Sequence, residues 1–265
     1  MALQNKHSLG QNWLKDRVIL DEIAMLAKGE SSLYRELYPE QSFSNLKTTD
    51  LCLEIGPGLG TLTSALLRQF KKVIAVEYDE KLAKNLPNSF PGKNLQIIHQ
   101  DFLQFDLLSI TESYIVAGNI PYYITSPIID RLLSAQHPPI RIVLLIQKEV
   151  AERIAAGPGH HTVLSLSVQN RASVLLGPVI KRDFFTPVPK VDSQVIILDP
   201  HKPEVSDRVM QMIKTGFSAP RKKLVNNLSE YQIAPILEQM SLSRDVRPAD
   251  LSLSQWNFLT QKLEK

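Results

Sequence analysis

Ten consecutive residues, Leu51-Cys52-Leu53-Glu54-Ile55-Gly56-Pro57-Gly58-Leu59-Gly60, constrain the fold of this chain more than any other stretch. Apolar Leu51 to Leu53 and Ile55, interrupted by Glu54, read as a buried strand, and Thr61-Leu62-Thr63-Ser64-Ala65-Leu66-Leu67 then opens a helical pattern. Glycines at 56, 58 and 60 remove side chains where a ligand would lie against the backbone. A helix starting there also points its unpaired N–H groups at that space. About 20 residues further on, Val73-Ile74-Ala75-Val76 reads as a second strand ending in Glu77, a carboxylate placed to take the two hydroxyls of a ribose. Turn and carboxylate together imply a nucleoside cofactor.

The rest of the chain repeats this strand–helix alternation. The pattern predicts a helix near 80–86, a strand at 94–99 leading into Asp101, and a strand at 114–117 running into Gly118-Asn119. Helix 126–133, strand 141–147 and helix 148–156 follow, residues 164–174 suit either a helix or a strand, and 195–198 is a strand. Ahead of this block, Val18 to Ala27 forms an amphipathic stripe with Asp16 as its N-cap, whereas 29–50 is polar and irregular, with at most a short helix at 34–38. Alternation through residue 157 implies a parallel sheet covered on both faces, with ligands beyond its strand C-termini. Gly56, Glu77, Asp101 and Asn119 all fall at such ends. From about residue 199 only helices are predicted, at 207–215, 224–228, 233–240 and 253–263. The expected division is therefore a cofactor-binding domain over 1–198 and a small helical domain over 199–265.

Composition excludes several classes. No apolar run approaches the ~20 residues needed to span a bilayer, and the N-terminus lacks the apolar core of a signal peptide. The single cysteine, Cys52, rules out an intrachain disulfide and reads as a small buried hydrophobe, so the expected compartment is the cytoplasm. A net charge of +3 permits an anionic partner without requiring one. The pair His160-His161 has no third ligand in view, so no metal is expected.

The choice of cofactor rests on two motifs. The dinucleotide fingerprint is G-x-G-x-x-G, whereas here the spacing is G-x-G-x-G with Pro57 inside the turn, as in methyltransferases that bind S-adenosyl-L-methionine. Asn119-Ile120-Pro121-Tyr122 resembles the N-x-P-Y signature of enzymes that methylate adenine N6. The chemistry calls for these residue types. The adenine amino lone pair is delocalised into the ring, so the nitrogen is a poor nucleophile. The Asn119 side-chain oxygen and the backbone carbonyl beside Pro121 can hold its two hydrogens, push the nitrogen toward tetrahedral and aim the lone pair at a sulfonium methyl. Pro121 stiffens the loop and Tyr122 can stack on the base. Asp101 either accepts from the cofactor's adenine amino group, with Phe102 beside the ring, or caps a helix. Glu54 is an edge residue or reaches the cofactor's amino end, and Asp79 reads as an N-cap.

With these motifs in place the chain closely resembles the ribosomal RNA adenine dimethyltransferase family over nearly its whole length. The resemblance runs through Gly10-Gln11-Asn12-Trp13-Leu14, Leu53 to Gly60, Glu77, Gln100-Asp101, Gly118 to Tyr123 and Gln147 to Arg153. It ends with Phe185-Thr186-Pro187-Val188-Pro189-Lys190-Val191-Asp192-Ser193 and Arg221 to Leu228. It implies an α/β, Rossmann-like methyltransferase sheet with a small C-terminal all-helical domain. Cofactor contacts would fall on Asn12, Leu14, Gly56, Gly58, Glu77, Asp101 and Asn119. The catalytic loop would be Asn119 to Tyr122 with Pro121 at its centre, and Phe185 would supply a second aromatic over the target base. Arg221, Lys222 and Lys223 are the best candidates for gripping RNA phosphates, with Lys148 nearer the site.

The implied reaction is N6,N6-dimethylation of two adjacent adenines near the 3′ end of small-subunit (16S) rRNA, a step in small-subunit biogenesis. The implied partner is the 30S particle, met by a monomer. Trp13 for the usual Phe, a longer 29–50 connection, His160-His161 for a common Tyr-Gly pair and Pro220 for an arginine are departures. Two other readings stand beside it. One is the antibiotic-resistance methylase of large-subunit (23S) rRNA, whose relatives usually carry K-V-N-S where Lys190-Val191-Asp192-Ser193 stands here. The other is a non-catalytic ribosome-assembly or transcription factor on the same fold. An NAD dehydrogenase fits neither the turn spacing nor the absence of a hydride-transfer acid.

Overall fold

The computed structural model of the protein describes residues 12–32, 36 and 49–263. Its strands are β1 (Trp13–Leu14), β2 (Leu51–Ile55), β3 (Lys72–Glu77), β4 (Leu95–His99), β5 (Ile115–Asn119), β6 (Arg141–Gln147), β7 (Ala172–Ile180), β8 (Phe185–Thr186) and β9 (Ser193–Pro200). Seven of them form one sheet in the order β4-β3-β2-β5-β6-β9-β7. The β2–β3, β3–β4, β2–β5 and β5–β6 pairs are parallel, and β6–β9 is antiparallel. The expected α/β alternation is therefore present, with helices such as Thr61–Gln69 between β2 and β3, Glu80–Asn85 after β3 and Thr125–Leu133 after β5. Every residue of β2 is buried, and β6 is buried up to Gln147, as a sheet covered on both faces requires. Cys52 is fully buried.

By packing, the chain forms two compact units, Met1–Ala151 with Leu175–Pro200 and Glu152–Val174 with His201–Lys265. The division read along the sequence, after 198, follows the change from alternating to purely helical pattern. In the fold, residues 152–174 go with the helical unit, because Leu166 on the helix Val163–Gln169 packs among Val209, Ile213, Leu237 and Trp256.

The stretch that suited either helix or strand proves to be both. Thr162 caps Val163–Gln169 in a reciprocal box with Ser165, and the chain then extends as β7. Gly177 and Pro178 hide that strand from a periodicity reading. They are tolerated because β7 is at the sheet edge, where a missing N–H costs no ladder bond, and a Cβ at Gly177 would come 3.0 Å from Val195. At the other end of the chain, Asp16 caps the helix Arg17–Lys28 through Ile19 N, as expected, and Gly29 closes it in the left-handed region. The possible helix at 34–38 lies mostly outside the described residues.

The helical unit has its own core, centred on Trp256, with none of its surface exposed. A Cβ at Gly216 would overlap the Trp256 ring. Gly216→Ala is expected to destabilise this unit by about 2 kcal/mol through overpacking, whereas Gly157→Ala, whose Cβ meets nothing within 4 Å, should change stability by less than about 0.5 kcal/mol. Urea unfolding of the two variants checks the contrast.

Candidate active site

Beyond the C-terminal ends of the parallel strands lies a cavity of about 310 Å³, within the range of small-molecule sites. Its walls include Gly56, Pro57 and Gly58 after β2, Glu77 and Tyr78 at the end of β3, Asp101 and Phe102 after β4, and Asn119 to Ile124 from β5 onward. Asn12 and Trp13 contribute from the N-terminal segment. Parallel strands that stop in register leave their tips on one rim, which is why residues far apart in sequence converge here.

The three glycines of the turn serve three purposes. All have positive φ, +65° at Gly56, +57° at Gly58 and +80° at Gly60, which an L side chain rarely adopts. A Cβ on Gly56 would meet nothing within 4 Å, so this is the glycine that leaves space open. At Gly58 it would come 3.2 Å from the Trp13 indole nitrogen, so the turn is packed by the N-terminal segment. At Gly60, which is not in the cavity wall, it would come 2.6 Å from Leu86 and 2.9 Å from the Phe90 ring.

Glu77 is almost fully buried, yet both its oxygens are occupied by backbone: Gly58 N donates to Oε2 (2.9 Å) and Asp79 N to Oε1 (2.8 Å). Burial raises its carboxyl above the usual range, and these two donors pull it back. The carboxylate thus ties the glycine turn to the β3 tip, and each oxygen keeps a lone pair for a further donor. Asp79 caps Glu80–Asn85 through Lys81 N and Leu82 N, as read from the sequence. Asp101 caps a short 3₁₀ turn, Oδ1 accepting from Leu103 N at 2.9 Å, and the residue is part of the cavity wall.

Asn119 ends β5. Its Nδ2 donates to the Asn12 carbonyl oxygen at 2.9 Å, so the amide cannot turn over without losing that bond, and Oδ1 is left as an acceptor. Pro121 and Tyr122 continue the wall, and the Tyr122 hydroxyl is 2.8 Å from Ser193 Oγ.

Two expected site residues are not brought to the cavity. The side chains of Leu14 and Phe185, 1% and 2% exposed, belong to the apolar core and sit opposite one another on β1 and β8. The pairing that buries them is what carries Asn12 and Trp13 to the cavity. Arg221, Lys222 and Lys223 are exposed on the helical unit, where Lys223 Nζ pairs with Asp245 at 2.6 Å. Lys148 follows β6 and is half-buried. The sequence reading missed Trp13 and Tyr78 as wall residues. Adjacency to Asn12 and to Glu77 was the available signal. Among the described residues no group of three or more His, Cys, Asp or Glu is placed to hold a metal, and no helix is long and apolar enough to cross a membrane.

Glu54 does not line the cavity. It is 1% exposed in the middle of the sheet, neither oxygen has a hydrogen-bond partner, and burial pushes its carboxyl to about 8, with the Thr63 hydroxyl opposing and Glu77 adding to the rise. A carboxyl with a raised folded-state pKa stabilises fully below its ordinary value of 4.5 and loses that contribution as pH rises through about 8. Glu54→Gln removes this titration. Thermal unfolding of the variant relative to wild type should therefore improve between pH 5 and pH 9, by on the order of 3 kcal/mol. A parallel pair of pH profiles would contradict the assignment.

Comparison with known proteins agrees with the geometry. The model of the family described as ribosomal RNA adenine dimethylase matches residues 2–264. A ribosomal RNA small subunit methyltransferase A from Nostoc punctiforme is 38% identical, with 96% of this chain and 93% of that protein covered. Among solved structures, the 23S rRNA methyltransferase ErmE aligns with a TM-score of 0.76 at 25% identity, covering 96% of this chain and all of that one. A dimethyladenosine transferase from Plasmodium falciparum aligns with a TM-score of 0.75 at 26% identity, covering 95% and 97%. A parallel sheet with a glycine turn, an acidic strand tip and an Asn-Ile-Pro-Tyr loop on one cavity, matched from end to end by one family, leaves one conclusion: this chain belongs to the ribosomal RNA adenine dimethylase family and uses S-adenosylmethionine.

Proposed function

We propose that the chain dimethylates N6 of two adjacent adenines near the 3′ end of small-subunit rRNA, within the 30S particle, as a step in small-subunit biogenesis, and that it works as a cytoplasmic monomer. The observation that carries this reading is the Asn119-Ile120-Pro121-Tyr122 loop at the cavity, with the Asn119 amide held by the Asn12 carbonyl so that Oδ1 is the free acceptor. The small-subunit target is favoured over the large-subunit one by Asp192 in Lys190-Val191-Asp192-Ser193 and by curated relatives named for the small subunit.

S-adenosylmethionine, when bound, supplies a methyl group on a positively charged sulfur. The residues present fit it: Gly56 leaves the backbone open, Glu77 offers buried carboxylate lone pairs to the ribose hydroxyls, and Asp101, in the cavity wall, has Oδ2 for an adenine amino group. Asn12, Gly58 and Asn119 complete the wall. Asn119 Oδ1 and the backbone carbonyl beside Pro121 then hold the two hydrogens of the target amine and direct its lone pair. Tyr122 stacks on the base, which has to leave its own stack to arrive there. No strong base is required, because the proton leaves after methyl transfer. Burial of Phe185 in the core, opposite Leu14, supports Tyr122 as the stacking ring and Phe185 as an anchor of the N-terminal segment. Arg221 and Lys222, with Lys148 and the Asp245-paired Lys223, are the proposed phosphate contacts.

Incubation of purified 30S and 50S particles with labelled cofactor, followed by mass mapping of the rRNA, tests the target. Two dimethylated adenines near the 3′ end of the small-subunit RNA are expected, and label in 50S alone would reject it. In the same assay Asn119→Ala should lose kcat by roughly 10²-fold or more, the loss seen when one transition-state acceptor or donor is removed, while RNA binding persists. Glu77→Ala should raise the Kd for S-adenosylmethionine at least ~10-fold, or ~1.4 kcal/mol, by calorimetric titration.

A further inference from the structure

Ser193 closes the run Lys190-Val191-Asp192-Ser193 and is not part of the cavity wall. Ser193 is the first residue of β9, has no exposed surface, and lies opposite Gln147 in the β6–β9 ladder. The residue before it is tied down three times. The Asp192 carboxylate takes Lys181 Nζ and Arg182 N, each at 3.0 Å, and its backbone oxygen takes Lys148 N at 3.0 Å. Burial, ladder and these bonds fix the Ser193 backbone beside Tyr122, within reach of its phenol.

Tyr122 stands in a different situation. It begins the 3₁₀ turn Tyr122–Ile124, is half-buried, and forms part of the cavity wall next to Pro121. Its backbone is held, since Thr125 Oγ1 donates to the Tyr122 carbonyl at 3.1 Å and Ile124 N to the Pro121 carbonyl at 3.2 Å. A held backbone does not orient a ring: two side-chain torsions remain, and the neighbouring Tyr123, on the same turn, is 65% exposed. Among the described residues, the one hydrogen bond at the far end of the Tyr122 ring is that to Ser193 Oγ, 2.8 Å away.

We propose that Ser193 is a positioning residue for methyl transfer, its hydroxyl holding the Tyr122 phenol so that the ring presents its face to the target adenine. Stacking favours a defined face-to-face offset, so a ring free to turn would seat the base over a range of angles, and the amine would miss the Asn119 acceptor in many of them. Ser193 touches neither base nor cofactor and acts through Tyr122. The inference rests on the placing of the target base against Tyr122 made above, and its test has an arm that needs no substrate.

In protein labelled with 3-fluorotyrosine, the Tyr122 fluorine resonance is identified by its loss in Tyr122→Phe. Ser193→Ala is expected to move and narrow that resonance as the ring gains freedom, and Ser193→Thr, which keeps a hydroxyl, to restore it. An unmoved resonance overturns the proposal whatever the substrate. In the methylation assay, Ser193→Ala should lower kcat roughly tenfold, the scale of one lost hydrogen bond, with the Kd for S-adenosylmethionine unchanged. Tyr122→Phe removes the same bond from the other side, so the double variant should be no slower than the slower single one, and Ser193→Thr should recover most of the rate. Multiplying losses in the double variant, or a wild-type rate in Ser193→Ala, overturns the proposal. Wild-type activity on 50S in place of 30S particles rejects the small-subunit target instead, and the cycle is then read on the particle that is methylated.

Discussion

Burying a carboxylate costs free energy unless hydrogen bonds replace its water, and the site is built around one place where they do. Glu77 closes β3 with its two oxygens bonded to backbone N–H groups on opposite sides, Gly58 in the glycine turn and Asp79 at the start of the next helix. The donors that make the burial affordable also fix the turn relative to the strand tip. The turn can pass so close because Gly58 adopts a left-handed φ and carries no side chain against Trp13. Remove the carboxylate, and turn, strand tip and helix start lose their common anchor.

A second linkage joins the N-terminal segment to the chemistry. β1 pairs with β8 through Trp13↔Thr186 and Leu14↔Phe185, and Leu14 and Phe185 sink into the core. With those two side chains buried, Trp13 packs on Gly58 and the Asn12 carbonyl takes the Asn119 amide. Cofactor turn and target loop are thus held by one short strand. In this arrangement Leu14 and Phe185 matter as anchors of the segment, without either one reaching the cavity.

Most of the sheet was legible in the chain itself. Runs such as Val73 to Val76 and Ile142 to Ile146 are apolar and rich in β-branched residues because both faces of a parallel sheet are covered, and that burial leaves a pattern anyone can read. The rim positions followed at once, since Gly56, Glu77, Asp101 and Asn119 each come at the end of such a run. Glu54 was harder to place. A carboxylate in an apolar run signals either a ligand or an orphan, and only the packing shows that neither oxygen reaches the cavity. β7 was hidden for the opposite reason, because an edge strand tolerates Gly177 and Pro178, which read as breakers.

The sequence alone determined the fold class, the cofactor turn, the acidic strand tip and the Asn-Ile-Pro-Tyr loop, because each is set by neighbours a few residues away: periodicity, turn chemistry and capping. The tertiary structure decided which glycine opens space and which merely packs, and which aromatic faces the cavity and which is core. It also decided what holds Asn119 and Tyr122. Their partners, Asn12 and Ser193, are 107 and 71 residues distant along the chain. A hydrogen bond between such residues leaves no periodicity in either segment, since it exists only once the fold has brought segments distant along the chain together.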